Sequence, residues 1–189
     1  MALTIAQIID SARGEDMAYI YDEPIHYVVF TRDDNTWDLL RIAAYLALLD
    51  RIEATTEGPG IMVSIGTGSR HFSTGFDLPK WAANINVMQN CIERFCEVMA
   101  RLLEFPMPTL AIFNGTAWAG GLIWGLCHDS RIMNANAGTL CLSELNLGLQ
   151  LEVPYTNVCA AKLRPSIALK YQYAIIVKQT EGLKDGVID

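Results

Sequence analysis

The chain has 189 residues, of which 51% are hydrophobic and 19% are charged. This composition is typical of globular proteins and excludes a disordered chain. The formal net charge is −7 at pH 7, and no basic run offsets it, which excludes general nucleic-acid binding. No uninterrupted apolar run approaches the ~20 residues that a membrane helix needs, so we expect no membrane span.

The cysteines and histidines do not form a metal-binding pattern. The five cysteines lie within apolar patterns, without a CxxC pair, and predict buried free thiols in a reducing compartment. A disulfide or a metal set is the alternative for them. The histidines are scattered singly, so no metal site is expected. The cysteines are Cys91, Cys96, Cys127, Cys141 and Cys159, and the histidines are His26, His71 and His128.

Hydrophobic periodicity predicts an alternation of strands and helices. The predicted helices are residues 3–13, 37–53 (capped by Asn35 or Thr36), 85–105, 155–163 and 165–178. The predicted strands lie in 17–31 (two strands that turn near Pro24), 61–68, 109–115 and 138–149, where a loop carrying Glu144 follows the strand. Residues 182–189 are expected to form a turn and a stub. This order predicts an α/β fold, and residues 1–189 are interpreted as a single domain.

Residues 114–132, NGTAWAGGLIWGLCHDSRI, predict a buried strand, a tight glycine turn and the start of a buried helix. Small residues lie at Ala117, Ala119, Gly120 and Gly121. Glycine allows another backbone or a ligand to come close, and a helix N-terminus offers unpaired N–H groups and the positive end of the helix dipole. The stretch therefore predicts a corner that can hold a negative charge.

Three motifs resemble the crotonase superfamily, that is, the enoyl-CoA hydratase/isomerase family. They are HFSTGFDL (71–78), NGTAWAGGLIWGLCHDSRI (114–132) and LSELNLG (142–148), and the match covers the chain from about Tyr19 to Asp189. Within the family the motifs look most like the Δ3,Δ2-enoyl-CoA isomerases. The resemblance implies a crotonase-like spiral of ββα units. It also implies that most of the family's C-terminal helical region is lacking, because the family normally continues beyond the equivalent of DGVID.

The resemblance also implies a site and a reaction. The backbone N–H groups of Phe76 and Gly120 would form an oxyanion hole for the thioester carbonyl of an acyl-CoA, and Glu144 would be the catalytic base. That base would take a proton from C2 of a 3-enoyl thioester and return it at C4. The alternatives are glycine turns that only permit tight packing, and an ordinary loop glutamate. Glu152 is a possible second acid that matches no motif.

Other residues are expected in the substrate pocket, and some depart from the family pattern. Gly75 and Gly121 are expected there together with Trp118 and Ile123. Hydratases of the family carry a glutamate where this chain has Ile123, which favours a one-base proton shuttle over hydration. Ala119 stands where the first of three glycines is usual, and Trp118 is large enough to fill space meant for an acyl chain. Trp81 and Met88, by contrast, are interpreted as core packing.

The leading hypothesis is therefore an enoyl-CoA isomerase-like enzyme of fatty-acid β-oxidation. It would need no metal or redox cofactor, since CoA is part of the substrate. The alternative is a catalytically inactive crotonase-fold subunit of a larger assembly. The expected partners are an acyl-CoA thioester and either other copies of the chain or the subunits of a complex. The implied pathway indicates a mitochondrial or peroxisomal matrix, although neither the first 16 residues nor DGVID is a targeting signal.

Overall fold

The computed structural model describes residues 3–82 and 84–189. The helices are α1 (Ile5–Ser11), α2 (Leu39–Thr55), α3 (Leu78–Ala82), α4 (Ile85–Leu103), α5 (Gly120–Leu126), α6 (Val153–Lys162), α7 (Pro165–Gln172) and α8 (Gln179–Asp185), with a short 3-10 helix at Glu144–Leu147. The strands are β1 (Met17–Asp22), β2 (Ile25–Phe30), β3 (Ile61–Gly66), β4 (His71–Ser73), β5 (Thr109–Phe113), β6 (Thr116–Trp118), β7 (Ser130–Met133), β8 (Thr139–Cys141) and β9 (Val177–Lys178). Within the described ranges, no helix is long and apolar enough to cross a membrane.

The strands form two sheets, and from β3 to β8 successive strands belong to the first and the second sheet in turn. The first has the order β1-β2-β3-β5-β7, and the second has the order β4-β6-β8-β9. All pairs are parallel except the two edge pairs, β1 with β2 and β8 with β9. A strand of the first sheet is followed by a strand of the second and then by helix, as in β5-β6-α5. This arrangement confirms the predicted α/β class and its ββα units.

The main core lies among the two sheets and α2, α4, α5 and α6, and it is rich in aromatic side chains. Trp37 and Trp124 are fully buried, with ring centroids 5.1 Å apart, and Phe30 contacts both. Burying each large apolar side chain contributes about 1.5–3 kcal/mol, so this cluster is a principal source of stability. A smaller core packs α1 against the other face of the first sheet. The five cysteines are free thiols, and four of them are buried.

Helix α2 begins later than the sequence predicted, and its cap is different. Neither Asn35 nor Thr36 caps it, because the carboxylate of Asp38 accepts the N–H of the third helical residue at 2.8 Å. Trp37 is outside the helix because its backbone forms a parallel bridge with Phe76. This tertiary pairing overrides the helical pattern at the start of the segment.

The end of the chain also differs from the prediction. The predicted helix 165–178 ends at Gln172, and Ala174 adopts a positive φ of 55°. The chain then forms β9, which pairs antiparallel with β8, and a helix α8 in place of the expected turn and stub. Gly186, in the left-handed conformation, ends α8. A two-residue strand and a seven-residue helix give too short a pattern to be recognised from periodicity.

A buried carboxylate ties the start of α2 to α3. Asp38 is 6% exposed and accepts hydrogen bonds from Lys80 Nζ at 2.6 Å and Arg32 Nη1 at 3.2 Å. Burial by itself would raise the pKa of this carboxyl, but the bonds from Lys80, the Arg41 N–H and Arg32 outweigh it and lower the pKa to about 2. The charged form of Asp38 therefore stabilises the fold.

Replacing Asp38 by asparagine tests this linkage, since asparagine still caps a helix but carries no charge. The folded pKa lies below the ordinary value near 4, so the charge contributes its full stability above about pH 5 and loses it as the pH falls from about 4 towards 2. We expect Asp38→Asn to lower the free energy of unfolding by about 1–2 kcal/mol at pH 7 and by much less at pH 2.5. Urea titrations at both pH values measure it. Asp50→Asn, which removes an exposed partner of Arg101, is the control; an equal loss at both pH values would contradict the linkage.

Candidate active site

A cavity of about 150 Å³ opens between the second sheet, α3, α4 and α6. Its wall combines apolar side chains with six polar ones. The lining residues are Thr74, Phe76, Leu78, Trp81, Met88, Ile92, Ala119, Ser143, Glu144, Leu147, Leu149, Gln150, Glu152 and Tyr155. Trp81 and Met88, which the sequence analysis assigned to core packing, thus lie on a cavity wall. This shape suits an extended apolar ligand with one polar end.

The turn after β4 presents one backbone donor. Trp37 donates its N–H to the Gly75 carbonyl at 2.8 Å, and its own carbonyl accepts the Asp77 N–H at 3.0 Å. In a parallel bridge of this kind the N–H of the intervening Phe76 points to the opposite side. Among the hydrogen bonds of the described residues, none is donated by the Phe76 N–H. It is therefore available to a ligand.

The corner between β6 and α5 presents the second donor. Gly120 is the first residue of α5, so its N–H has no partner within the helix. A Cβ added to Gly75 would lie 3.0 Å from the Gly120 nitrogen, and a Cβ added to Gly120 would lie 3.1 Å from the Phe76 ring. The two segments thus adjoin, and glycine leaves the Gly120 N–H uncovered. Together with the Phe76 N–H, it can hold one oxygen that becomes negative.

Ala119, on the same corner, has an unusual backbone. Its φ of 49° and ψ of −131° lie in a region that glycine populates and other residues rarely do. Its N–H donates to the Cys141 carbonyl at 2.8 Å, and its carbonyl accepts the N–H groups of Leu122 and Ile123. These bonds hold the strained residue in place at the start of α5.

Glu144 brings a carboxylate to the cavity wall from the other side. It is the first residue of the 3-10 helix that follows β8, and it is half-buried. Its Oε2 atom is buried and, within the described part of the chain, has no hydrogen-bond partner. Burial raises the pKa of this carboxyl. A carboxylate made more basic in this way is suited to take and return a proton.

Sequence reasoning missed Tyr155 on α6. Its side chain is 4% exposed and lines the cavity, and its hydroxyl has no hydrogen-bond partner among the described residues. Glu152 lies just before α6 and also lines the cavity, at an exposed position. A tyrosine in a predicted helix gives no local signal of such a position, because only the fold shows which way that helix faces.

The other residues expected in the pocket do not line it. Trp118 does not line the cavity, and its indole N–H donates to the Thr139 hydroxyl at 3.0 Å. Ile123 is fully buried in the main core. Gly121 serves packing, since a Cβ there would lie 2.3 Å from the Ser73 carbonyl oxygen. Gly75 adjoins Gly120 without lining the cavity. The oxyanion and base assignments stay predictions: Phe76 and Glu144 line the cavity, and Gly120 follows Ala119, which also lines it.

Metal ligands are not clustered in the part of the chain that the structure describes. No group of three or more histidine, cysteine, aspartate or glutamate side chains there could hold a metal ion.

Comparison with known proteins identifies related sequences and structures. A family profile described as enoyl-CoA hydratase/isomerase matches residues 26–189. The chain is 36% identical over 132 residues to enoyl-CoA delta isomerase 3 of Arabidopsis thaliana, and 36% identical over 134 residues to the peroxisomal enoyl-CoA delta isomerase 2 of that plant. In each case the alignment covers 67% of this chain, and the chain spans 55% of the relative's length.

The fold is similar to that of a probable enoyl-CoA hydratase from Mycobacterium tuberculosis H37Rv. The TM-score is 0.85, with 22% identity, over 93% of this chain and 74% of the other. At this identity the likeness shows the fold alone.

Replacing Ala119 by glycine should stabilise the protein. The Ala119 backbone strain costs about 1–2 kcal/mol, whereas the greater freedom of glycine in the unfolded chain costs about 0.5–1 kcal/mol. We therefore expect a net gain of up to about 1 kcal/mol in the free energy of unfolding, measured by urea titration. The matched control is Ala117→Gly on β6, where the fully buried side chain is lost without relief of strain, so stability should fall. A loss for both variants would contradict the strain at Ala119.

Proposed function

The chain belongs to the enoyl-CoA hydratase/isomerase family, and on that premise we propose that it is a Δ3,Δ2-enoyl-CoA isomerase. It moves a carbon–carbon double bond of an acyl-CoA thioester from the 3 to the 2 position. The observation that carries the proposal is the buried Glu144 Oε2 atom, which no described residue bonds, on a cavity that the Phe76 and Gly120 segments adjoin. The activity for which the two Arabidopsis relatives are named supports the same assignment.

The two backbone donors stabilise the negative charge of the intermediate. Removing a proton from C2 of the 3-enoyl thioester delocalises charge onto the thioester oxygen as a dienolate. In this proposal the N–H groups of Phe76 and Gly120 donate to that oxygen, and the N-terminus of α5 adds the positive end of its dipole. The loss of one such donor typically costs ~2.7–4 kcal/mol of transition-state stabilisation.

Glu144 carries the proton between the two carbons. Its carboxylate accepts the proton from C2, and the resulting acid returns it to C4, so the atoms balance without water or a second base. Burial raises the pKa of Glu144 and makes it a better base. Since the base must start deprotonated, turnover should fall as the pH drops below that raised pKa.

The residue at position 123 favours isomerisation over hydration. Family hydratases use a second carboxylate at this position to hold a water, and Ile123 is fully buried in the core. The apolar wall that includes Met88 and Ile92 accommodates the acyl chain and excludes water from the dienolate.

The inactive-subunit alternative rested partly on Trp118 filling this space, which its bond to Thr139 disfavours.

We place the reaction in the peroxisomal matrix. Two Arabidopsis relatives, enoyl-CoA delta isomerases 1 and 2, are named as peroxisomal, which supports this placement. Colocalisation with a peroxisomal matrix marker tests it. Assembly with further copies or with other subunits stays a prediction.

The base is tested by Glu144→Gln, which keeps the side-chain shape but cannot accept the proton. With a 3-enoyl-CoA substrate followed spectroscopically, we expect a fall in kcat of about 10²–10⁴-fold. Glu97→Gln, which removes an exposed carboxylate on α4, should retain full turnover. If the wild type neither turns over the substrate nor binds acyl-CoA, the enzyme hypothesis fails and the inactive subunit replaces it.

The oxyanion hole is tested by Gly75→Ala. The new methyl group would lie 3.0 Å from both the Gly120 nitrogen and the Ala119 Cβ, so it covers or displaces one donor. We expect kcat to fall about 10²–10³-fold. Gly14→Ala is the matched control, since Gly14 has a φ of 89°, close to the 90° of Gly75, but nothing lies within 4 Å of an added Cβ. Equal effects of the two variants on turnover would show that backbone strain alone is responsible.

A further inference from the structure

The Tyr155 hydroxyl is a buried polar group without a partner, on the wall of the catalytic cavity. Only 4% of the side chain is exposed, and no described residue bonds the hydroxyl. An unsatisfied buried hydroxyl destabilises the fold, so what fills the cavity decides whether that cost is recovered. The reaction proposed above does not use this group.

The cavity wall holds one acceptor that complements the hydroxyl. Among its lining residues, the buried side-chain atoms without a partner are two donors, Tyr155 O–H and Trp81 Nε1–H, and one acceptor, Glu144 Oε2. Tyr155 lies within electrostatic reach of Glu144: burial raises the pKa of the phenol, and the nearby Cys96, Glu152 and Glu144 raise it further. Tyr155 therefore stays a neutral O–H donor at any working pH.

We propose that Tyr155 is a positioning residue, whose hydroxyl holds one bridging water that donates a hydrogen bond to the Glu144 carboxylate. A cavity of about 150 Å³ has room for that water when no ligand is bound. The bond fixes which carboxylate oxygen faces the substrate and stabilises the charged form of the base.

The other titratable groups near Glu144 do not provide this bond. The thiols of Cys141 and Cys159 stay neutral, because burial raises their pKa values to about 11 and about 12. Glu152 is a carboxylate at an exposed position and offers no hydroxyl or amide donor to Glu144.

The test replaces Tyr155 by phenylalanine, which keeps the ring and deletes the donor. A hydrogen bond donated to a carboxylate stabilises its charged form and lowers its pKa by about one pH unit. We therefore expect the pKa of Glu144 to rise by that amount in Tyr155→Phe, where the bond is lost. Carbon-13 NMR of the glutamate carboxyls, with the Glu144 signal assigned by its loss in Glu144→Gln, measures the shift directly. Tyr171→Phe, at a fully buried tyrosine of α7 that does not line the cavity, is the matched control.

Kinetics give a second readout, which rests on the proposed isomerase function. The acidic limb of the kcat/KM profile should move up by about one pH unit in Tyr155→Phe, should stay in place in Tyr171→Phe and should not rise in Glu152→Gln. A Glu144 pKa that is unchanged in folded Tyr155→Phe overturns the positioning role, even if turnover falls. Because the NMR titration needs no substrate, it still decides the role of Tyr155 if the isomerase assay fails.

Discussion

The close approach of two backbone segments, the turn 73–76 and the corner 119–121, is the constraint on which the site depends. A Cβ on Gly121 would lie 2.3 Å from the Ser73 carbonyl oxygen, and one on Gly75 would lie 3.0 Å from the Gly120 nitrogen. In both cases the obstructing atom belongs to the backbone and cannot rotate away as a side chain would. The absence of side chains at these glycines therefore sets the spacing of the two N–H donors, and any larger residue would push α5 away from β4.

This approach is held by hydrogen bonds from Asn114, at the end of β5, and from Asn35, in the loop before α2. The Asn35 amide donates to the Phe72 carbonyl at 3.0 Å, and the Ser73 hydroxyl donates to the Asn35 carbonyl at 2.9 Å. On the other side, the Asn114 side chain accepts the Gly66 N–H and donates to the His71 carbonyl, each at 3.0 Å. The donors are thus fixed before any ligand arrives, which is what electrostatic stabilisation of a developing charge requires.

The sequence was informative where short motifs or long periodic segments determine the structure, and uninformative where tertiary contacts do. The long helices α2 and α4 and the glycine corner were predicted because their patterns extend over many residues. The cap of α2 was not, since the bridge between Trp37 and Phe76 joins residues far apart in the chain. The short β9 and α8 give no periodic signal of their own.

The candidate site likewise contains residues that the sequence motifs predicted and a residue that they did not. Phe76, Gly120 and Glu144 belong to motifs, and the fold brings their segments to one cavity. Tyr155 belongs to no motif, and its hydroxyl reaches the cavity only because of the direction in which α6 packs. Conversely, Trp118 was expected in the pocket from its position between motif residues, and its bond to Thr139 directs the indole elsewhere.

Several local features that oppose stability are gathered at this cavity. Ala119 has a backbone conformation suited to glycine, and no described residue bonds the buried Glu144 Oε2 atom or the buried Tyr155 hydroxyl. Each costs folding free energy that an ordinary packed core avoids. Packing alone gives no reason for such costs to concentrate around one space, whereas catalysis does: a fixed donor, a basic carboxylate and a ready hydrogen-bonding group must be in place before the substrate binds. Burial of the Glu144 carboxylate lowers the stability of the fold and also makes the carboxylate more basic. The loss of stability and the reactivity therefore have one physical cause.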